Sequence, residues 1–174
     1  MNYFEFYGLE EKFFIDEAEL KRKFYQKSKE LHPDFHTMSD PAAQMEKLQL
    51  SSVNNQAFKK LKSLEGRIDH ILDLHGVKDE EGKATVPQEF LMEMMELNES
   101  LMDLEMDPSE ELRDKARAIL DNWYDDLWKE VEPILNKWDE GHKEEGALEK
   151  VKDYLLKKKY LNRIAQRLSG EVEL

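Results

Sequence analysis

The sequence predicts an all-α protein in two parts, an N-terminal antiparallel helical hairpin and a C-terminal three-helix bundle. Three observations carry that prediction. Hydrophobic residues make up 40% of the 174 positions and charged residues 37%, while Gly and Pro number only 7 and 5. Runs of Val, Ile and Thr that would read as strands are nearly absent. Apolar residues also recur at three- and four-residue spacing along each long segment.

The elements follow in order. A short aromatic opening (Tyr3, Phe4, Phe6, Tyr7) is interrupted at Gly8. Asp16 then sits where a helix N-cap should, with Glu17 and Glu19 favourable to the dipole of the first turn. Leu20, Phe24, Lys27 and Leu31 follow at helical spacing, and the helix must end before Pro33, because the residue ahead of a proline is pushed out of the α region. His32 to Pro41 is therefore a loop. A second long helix is expected from about Ala42 towards His75, carried by Met45, Leu48, Val53, Ala57, Leu61, Leu64, Ile68, Ile71 and Leu72, with Gly76 as its C-cap. Residues 78–85 form a polar, Gly-containing connector.

Three further helices are expected. One runs from near Pro87 to near Met106. Asp107-Pro108 supplies an N-cap and a first-turn proline for the next, which carries Leu112, Ala116, Ile119, Leu120, Trp123, Leu127, Val131, Ile134 and Trp138. Pro133 should kink that helix or leave a strained turn. Gly141 marks a turn, and the last helix spans roughly Glu145 to Leu168 with Leu148, Val151, Leu155, Leu156, Tyr160, Ile164 and Leu168 inward. Short connections make these neighbours antiparallel. The expected division is residues 1–76, a connector at 77–86, and 87–174.

Charge separates the two parts. Up to His75 there are 11 basic and 13 acidic residues; from Gly76 onward there are 15 and 26. A net charge of −13 argues against nucleic acid as a partner, since a nucleic-acid binder needs a basic surface to displace counterions. The absence of Cys excludes disulfides, thiol catalysis and thiolate metal sites. No apolar run approaches the ~20 residues of a membrane span, and the opening residues lack the pattern of a signal peptide, so a cytoplasmic protein without a membrane partner is expected. His32 and His36 have metal-ligand spacing, but Pro33 breaks the helix that would align them. Asp69, His70, Asp73 and His75 could suggest a metal phosphohydrolase, which would need further His/Asp pairs elsewhere in the chain. No Gly-rich phosphate loop or nucleophile motif is present. Catalytic residues, a metal site and a cofactor are therefore not expected.

The segment from Glu19 to Asp34 carries a function. Lys21, Arg22, Lys23, Lys27 and Lys29 give five basic residues with no acidic one between them, a local positive face suited to an acidic partner. At the end of that helix comes His32-Pro33-Asp34, and about twenty residues on comes Asn55-Gln56-Ala57-Phe58. A basic amphipathic helix ending in that tripeptide, a loop, and a second helix with that signature resemble a J-domain. Phe35 departs from the lysine common after the tripeptide, and Asn54 stands where an Ile is usual. The resemblance implies that His32, Pro33 and Asp34 engage an ATP-bound DnaK-class chaperone, with Lys21, Arg22, Lys23, Lys27 and Lys29 pairing with its acidic surface. Docking would favour the conformation that hydrolyses ATP, a population shift and not catalysis by these residues.

No Gly/Phe-rich linker or Cys-rich module follows. Arg67 to Gly76 leads straight into an acidic helical region whose Phe90 to Ser100 is similar to the HscB family of iron–sulfur cluster assembly cochaperones. From Pro87 to Asp107 there are seven acidic residues, no basic one, and five of the eight methionines. Phe90, Met94, Leu97, Leu101 and Leu104 form a core seam, leaving Leu91, Met92 and Met95 beside Glu96, Glu99 and Asp103. Methionine adapts its shape and is over-used on binding surfaces. Read without the family, this face is either a wide buried stripe or a binding strip. The resemblance implies that Leu91, Met92, Met95, Glu96, Glu99, Asp103 and Tyr160 bind an IscU-class scaffold protein. It implies two partners, a DnaK/HscA-class ATPase and that scaffold, on a chain that is not itself an enzyme. A monomer is expected, since the bundle accounts for the apolar seams. An acidic adaptor without J-activity, and a J-protein with another client, are the alternative readings.

Overall fold

Capping chemistry fixes the first turns of the computed structural model, which describes residues 1–31, 41–77 and 85–169. The Asn2 side chain accepts hydrogen bonds from the Phe4 and Glu5 N–H groups and opens helix α1 (Tyr3–Tyr7) within the aromatic segment. Gly8 closes it at φ 58°, where a side chain would be strained. Asp16 caps α2 (Glu17–Glu30), accepting from the Ala18 and Glu19 N–H groups at 2.9 and 3.1 Å. The expected N-cap is thus the observed one.

The expected single helix from Ala42 to His75 is two helices, α3 (Pro41–Leu61) and α4 (Leu64–Leu74). Ser63 makes the break: its hydroxyl accepts from the Gly66 N–H at 3.2 Å and caps the second helix. The corner closes tightly, so a Cβ on Gly66 would lie 1.9 Å from the Lys60 carbonyl oxygen. Arg67, only 3% exposed, then ties the corner down. Its Nε donates to the Phe13 carbonyl and its Nη1 to the Leu61 carbonyl, both at 2.7 Å, and Nη2 lies 3.3 Å from Glu17.

Phe4, Tyr7, Phe13, Leu20, Ala57, Leu61, Ile68, Ile71 and Leu72 form the core of this first part. Phe24 stacks on Phe58 at 4.2 Å between centroids. Met45 and Leu48, expected on the inner face of α3, are 59% and 67% exposed. The step of five from Leu48 to Val53 turns the helix by about 140°, which moves the earlier pair off the seam. Asn54, flagged as unusual in the sequence, is 1% exposed and is a polar hub. The Tyr7 hydroxyl donates towards its side-chain oxygen (2.7 Å) and its carbonyl (2.9 Å), while its amide donates to Ser28 Oγ (2.9 Å) and the Phe24 carbonyl (3.3 Å). One residue thereby links α1, α2 and α3, with every bond inside the core satisfied locally.

Contacts divide the chain into two compact units, Met1–Gly76 and Val77–Leu174. In the second, the expected helix from Pro87 to Met106 is interrupted at Met94 (ψ 2°) into α5 (Gln88–Glu93) and α6 (Met95–Met106). Hydrogen bonds still run through the break, from Met94 N–H to Phe90 and from Asn98 N–H to Met94. Helix α7 (Glu110–Asp139) is capped by Ser109, whose hydroxyl accepts from the Leu112 N–H at 3.2 Å. Asp107, the expected cap, instead closes α6, its N–H donating to the Asp103 carbonyl. Pro133 does not end α7. It lies on the exposed face, where the carbonyl it deprives of a donor can turn to water.

Helix α8 (Ala147–Ser169) completes the bundle. Tyr124 bonds Asn162 and Lys137 meets Glu144, so α7 and α8 run antiparallel. Asn98 meets Tyr160 and Glu105 meets Arg167, both 62 residues apart, so α6 and α8 run parallel. The core is Phe90, Met94, Leu97, Leu101, Ala116, Leu120, Leu127, Val131, Leu135, Trp138, Ala147, Leu148, Val151, Tyr154, Leu155, Leu161, Ile164 and Leu168. Among the described residues there is no strand, so the fold is all-α.

Candidate functional site: two partner-binding faces

The five cations of α2 divide between two sides of the helix. Lys23 turns back to the end of α1, its Nζ 3.5 Å from both the Gly8 carbonyl and Glu19. Lys27 lies over the Phe6 ring at 4.5 Å, a cation–π contact. Lys21, Arg22 and Lys29 are exposed, Arg22 with only a loose 3.7 Å pair to Glu19. At 100° per residue these three span about 100° of the helix, with Tyr25 in their midst. Tyr25 is 60% exposed. Tyr25 is not among the residues the sequence marks; it lies about 100° around the helix from Phe24, which packs on Phe58. His32, Pro33 and Asp34 lie outside the described residues, as does His36.

The helix opening the second unit splits cleanly by side. Phe90, Met94, Leu97 and Leu101 are buried to 5% exposure or less, as the seam predicts, and Leu104 is half-buried. Leu91, Met92 and Met95 are 40%, 64% and 57% exposed, so the wide-buried-stripe alternative does not describe this helix. Glu96, Glu99 and Asp103 are exposed; among the described residues none of them forms an ion pair. Tyr160 reaches this helix from α8. Its ring meets Phe90 edge-on at 5.9 Å, and its hydroxyl accepts from Asn98 Nδ2 at 3.4 Å. Phe90 is held in turn by Trp123 at 5.5 Å and lies beneath Lys157. Met102 and Met106, 66% and 88% exposed, were not singled out by the sequence, although they fall on the same side as Met95.

The acidic and imidazole groups of α4 do not converge. Asp69 pairs with Lys60, and His75 lies 2.6 Å from Glu11. Buried His70 accepts the Tyr3 N–H at Nε2 (3.0 Å) and stacks on the Tyr3 ring. Burial, reinforced by the Lys60 charge, holds His70 below the usual histidine pKa. Its neutral form is the one that can accept this bond. No group of three or more potential metal ligands occurs among the described residues, and none of their helices is long and apolar enough to cross a membrane.

Known proteins share this architecture. Residues 86–169 match the family described as the HSCB C-terminal oligomerisation domain. A co-chaperone protein HscB homolog of Aliivibrio salmonicida (strain LFI1238) is 30% identical over 171 residues, spanning 90% of this chain and 99% of that protein. The crystal structure of human co-chaperone protein HscB superposes with a TM-score of 0.77 at 24% identity, covering 98% of this chain and 82% of the human one. Chaperone HscB from Vibrio cholerae gives 0.67 at 24% identity, covering 98% and 96%. The two structures speak for the fold; the sequence match along nearly the full length of the Aliivibrio protein speaks for descent. The chain belongs to the HscB co-chaperone family.

Proposed function

We propose that this co-chaperone serves iron–sulfur cluster assembly by joining two partners. The first unit stimulates ATP hydrolysis by a DnaK/HscA-class chaperone, through His32, Pro33 and Asp34 and the α2 cations. The second binds an IscU-class scaffold protein through Leu91, Met92, Met95, Glu96, Glu99, Asp103 and Tyr160. The observation that carries this reading is the exposed Leu91, Met92 and Met95 strip beside three carboxylates. Such a strip suits a partner that is apolar at its centre and basic at its rim. Membership of the HscB family supports it.

The roles differ in kind. Lys21, Arg22 and Lys29 steer and hold an acidic surface, contributing more to association rate and specificity than to affinity. The chain performs no covalent chemistry; it biases the chaperone between its conformations by differential binding. Tethering the scaffold to the activating unit raises the scaffold's effective concentration at the chaperone.

Steady-state ATP turnover by a DnaK-class chaperone from the same cell tests this. Titration of the chain should raise turnover, the scaffold should raise it further and synergistically, and His32→Gln should abolish both effects. Stimulation indifferent to the scaffold would refute the client assignment. Absence of any stimulation would leave an acidic adaptor and refute the J-domain half.

A further inference from the structure

Within α6 the apolar strip continues beyond the residues matched to the family. Met95, Met102 and Met106 are seven and four residues apart, so at 100° per residue they fall within about 40° of one another. All three lie in one uninterrupted helix (Met95–Met106) and are 57%, 66% and 88% exposed. They form a row about 16 Å long, directly opposite buried Leu97 and Leu101. A monomer has no structural reason to expose three large apolar side chains in line, and rows of this kind mark contact sites.

The edges of the row are unlike each other. On one side Glu99, Asp103 and Glu96 follow at about 40°, 80° and 100° from Met95; among the described residues they have no ion pair. On the other side Asn98 is engaged with Tyr160, and Glu105 is paired with Arg167 at 2.5 Å. One edge therefore presents unneutralised negative charge and the other is already satisfied. A partner fits that asymmetry if it carries an apolar ridge with Lys or Arg along one margin only. Overall charge also weighs against a second copy of this chain, because residues 76–174 hold 26 acidic against 15 basic residues and two such units repel.

We infer that Met102 and Met106 extend the scaffold-binding face to the C-terminal end of α6, and that the scaffold meets it with an apolar ridge whose basic margin lies on the Glu99 and Asp103 side. This inference rests on the reading of Leu91, Met92 and Met95 as scaffold contacts.

Isothermal titration of the full-length chain with the apo scaffold tests it, using Met102→Gln/Met106→Gln, Met95→Gln, and Met45→Gln as a control exposed on the first unit. Gln keeps helix propensity close to that of Met, and unchanged far-UV spectra and melting would confirm folding. The double variant should weaken binding about tenfold or more, a loss of the size expected for contacts that bury two methionines. Met45→Gln should change nothing. Glu99→Lys should also weaken binding and flatten its salt dependence. A double variant within twofold of the parent, while Met95→Gln binds weakly, overturns the extension and leaves the scaffold site standing. No binding by the parent chain overturns both. A change in sedimentation by the double variant with unchanged scaffold affinity would assign the row to a second copy and overturn the inference.

Discussion

Replacing Arg67 by Met should cost the first unit about a third to a half of its stability while leaving the second untouched. The guanidinium bridges two main-chain carbonyls, Phe13 and Leu61, at 2.7 Å each, and it is 3% exposed. Met fills much of the same space but leaves both acceptors without this donor. An unsatisfied buried acceptor costs about 1–3 kcal/mol, and removing the desolvated charge returns part of that. The expected net loss is about 3 kcal/mol, against a total of roughly 5–10 kcal/mol for a domain of this kind. Arg67→Lys keeps the charge but cannot span both carbonyls, and should lose about 1–2 kcal/mol. Glu17→Gln should lose under ~1 kcal/mol, because the Glu17 side chain is 67% exposed and its pair with Arg67 is screened. The assay separates the units because Trp123, Trp128 and Trp138 all belong to the second. In urea titrations of Arg67→Met the far-UV circular dichroism should gain an early transition while tryptophan fluorescence keeps its midpoint. A loss below about 1 kcal/mol in the early transition would refute the bridging role.

Three further outcomes follow from the same unit. Gly66→Ala, which stabilises an ordinary helix by up to about 1 kcal/mol, should here destabilise by about 2–4 kcal/mol, because its Cβ would meet the Lys60 carbonyl at 1.9 Å; a stabilised variant in urea unfolding would contradict the corner. His70 has a lowered folded-state pKa, so the unfolded chain takes up its proton first on acidification. Its contribution is complete above pH ~6.5 and is lost progressively as pH falls below that. The midpoint of the first unit should therefore drop between pH 7 and 5.5, and His70→Gln should flatten that drop. Tyr7→Phe and Asn54→Ile, made singly and together, should show a coupling of about 1–2 kcal/mol in a double-mutant cycle, and additivity within ~0.5 kcal/mol would dismiss their buried bond.

Much of this architecture is legible in the sequence, because caps and seams are local. Asp16 announces α2, and Phe90, Met94, Leu97 and Leu101 announce which side of the third segment turns inward. What escapes is whatever depends on contacts across the chain. Ser63 is the exception, a local cap bonded to the Gly66 N–H three residues on, concealed because it is one serine inside an apolar periodicity that runs on through the corner. Met45 and Leu48 match helical spacing to each other but not to Ala57 and Leu61, a phase error that spacing between neighbours conceals. The unusual Asn54 reads as a departure until Tyr7 and Ser28 are seen around it. On the binding faces, Tyr25, Met102 and Met106 were missed for one reason: sequence shows that a residue is apolar, whereas only the packed helix shows that it is left in water.

The Asn54 hub also bears on how this chain could be recombined with its relatives. A chimera that takes α1 from a homologue with an apolar residue at position 7, or α2 from one lacking a hydroxyl at position 28, would strand the Asn54 amide or its oxygen in the core. Each segment could be sound in its parent and the hybrid still fail. Crossovers in this unit should therefore carry positions 7, 28 and 54 from a single parent, a constraint that no pairwise identity along the backbone would disclose.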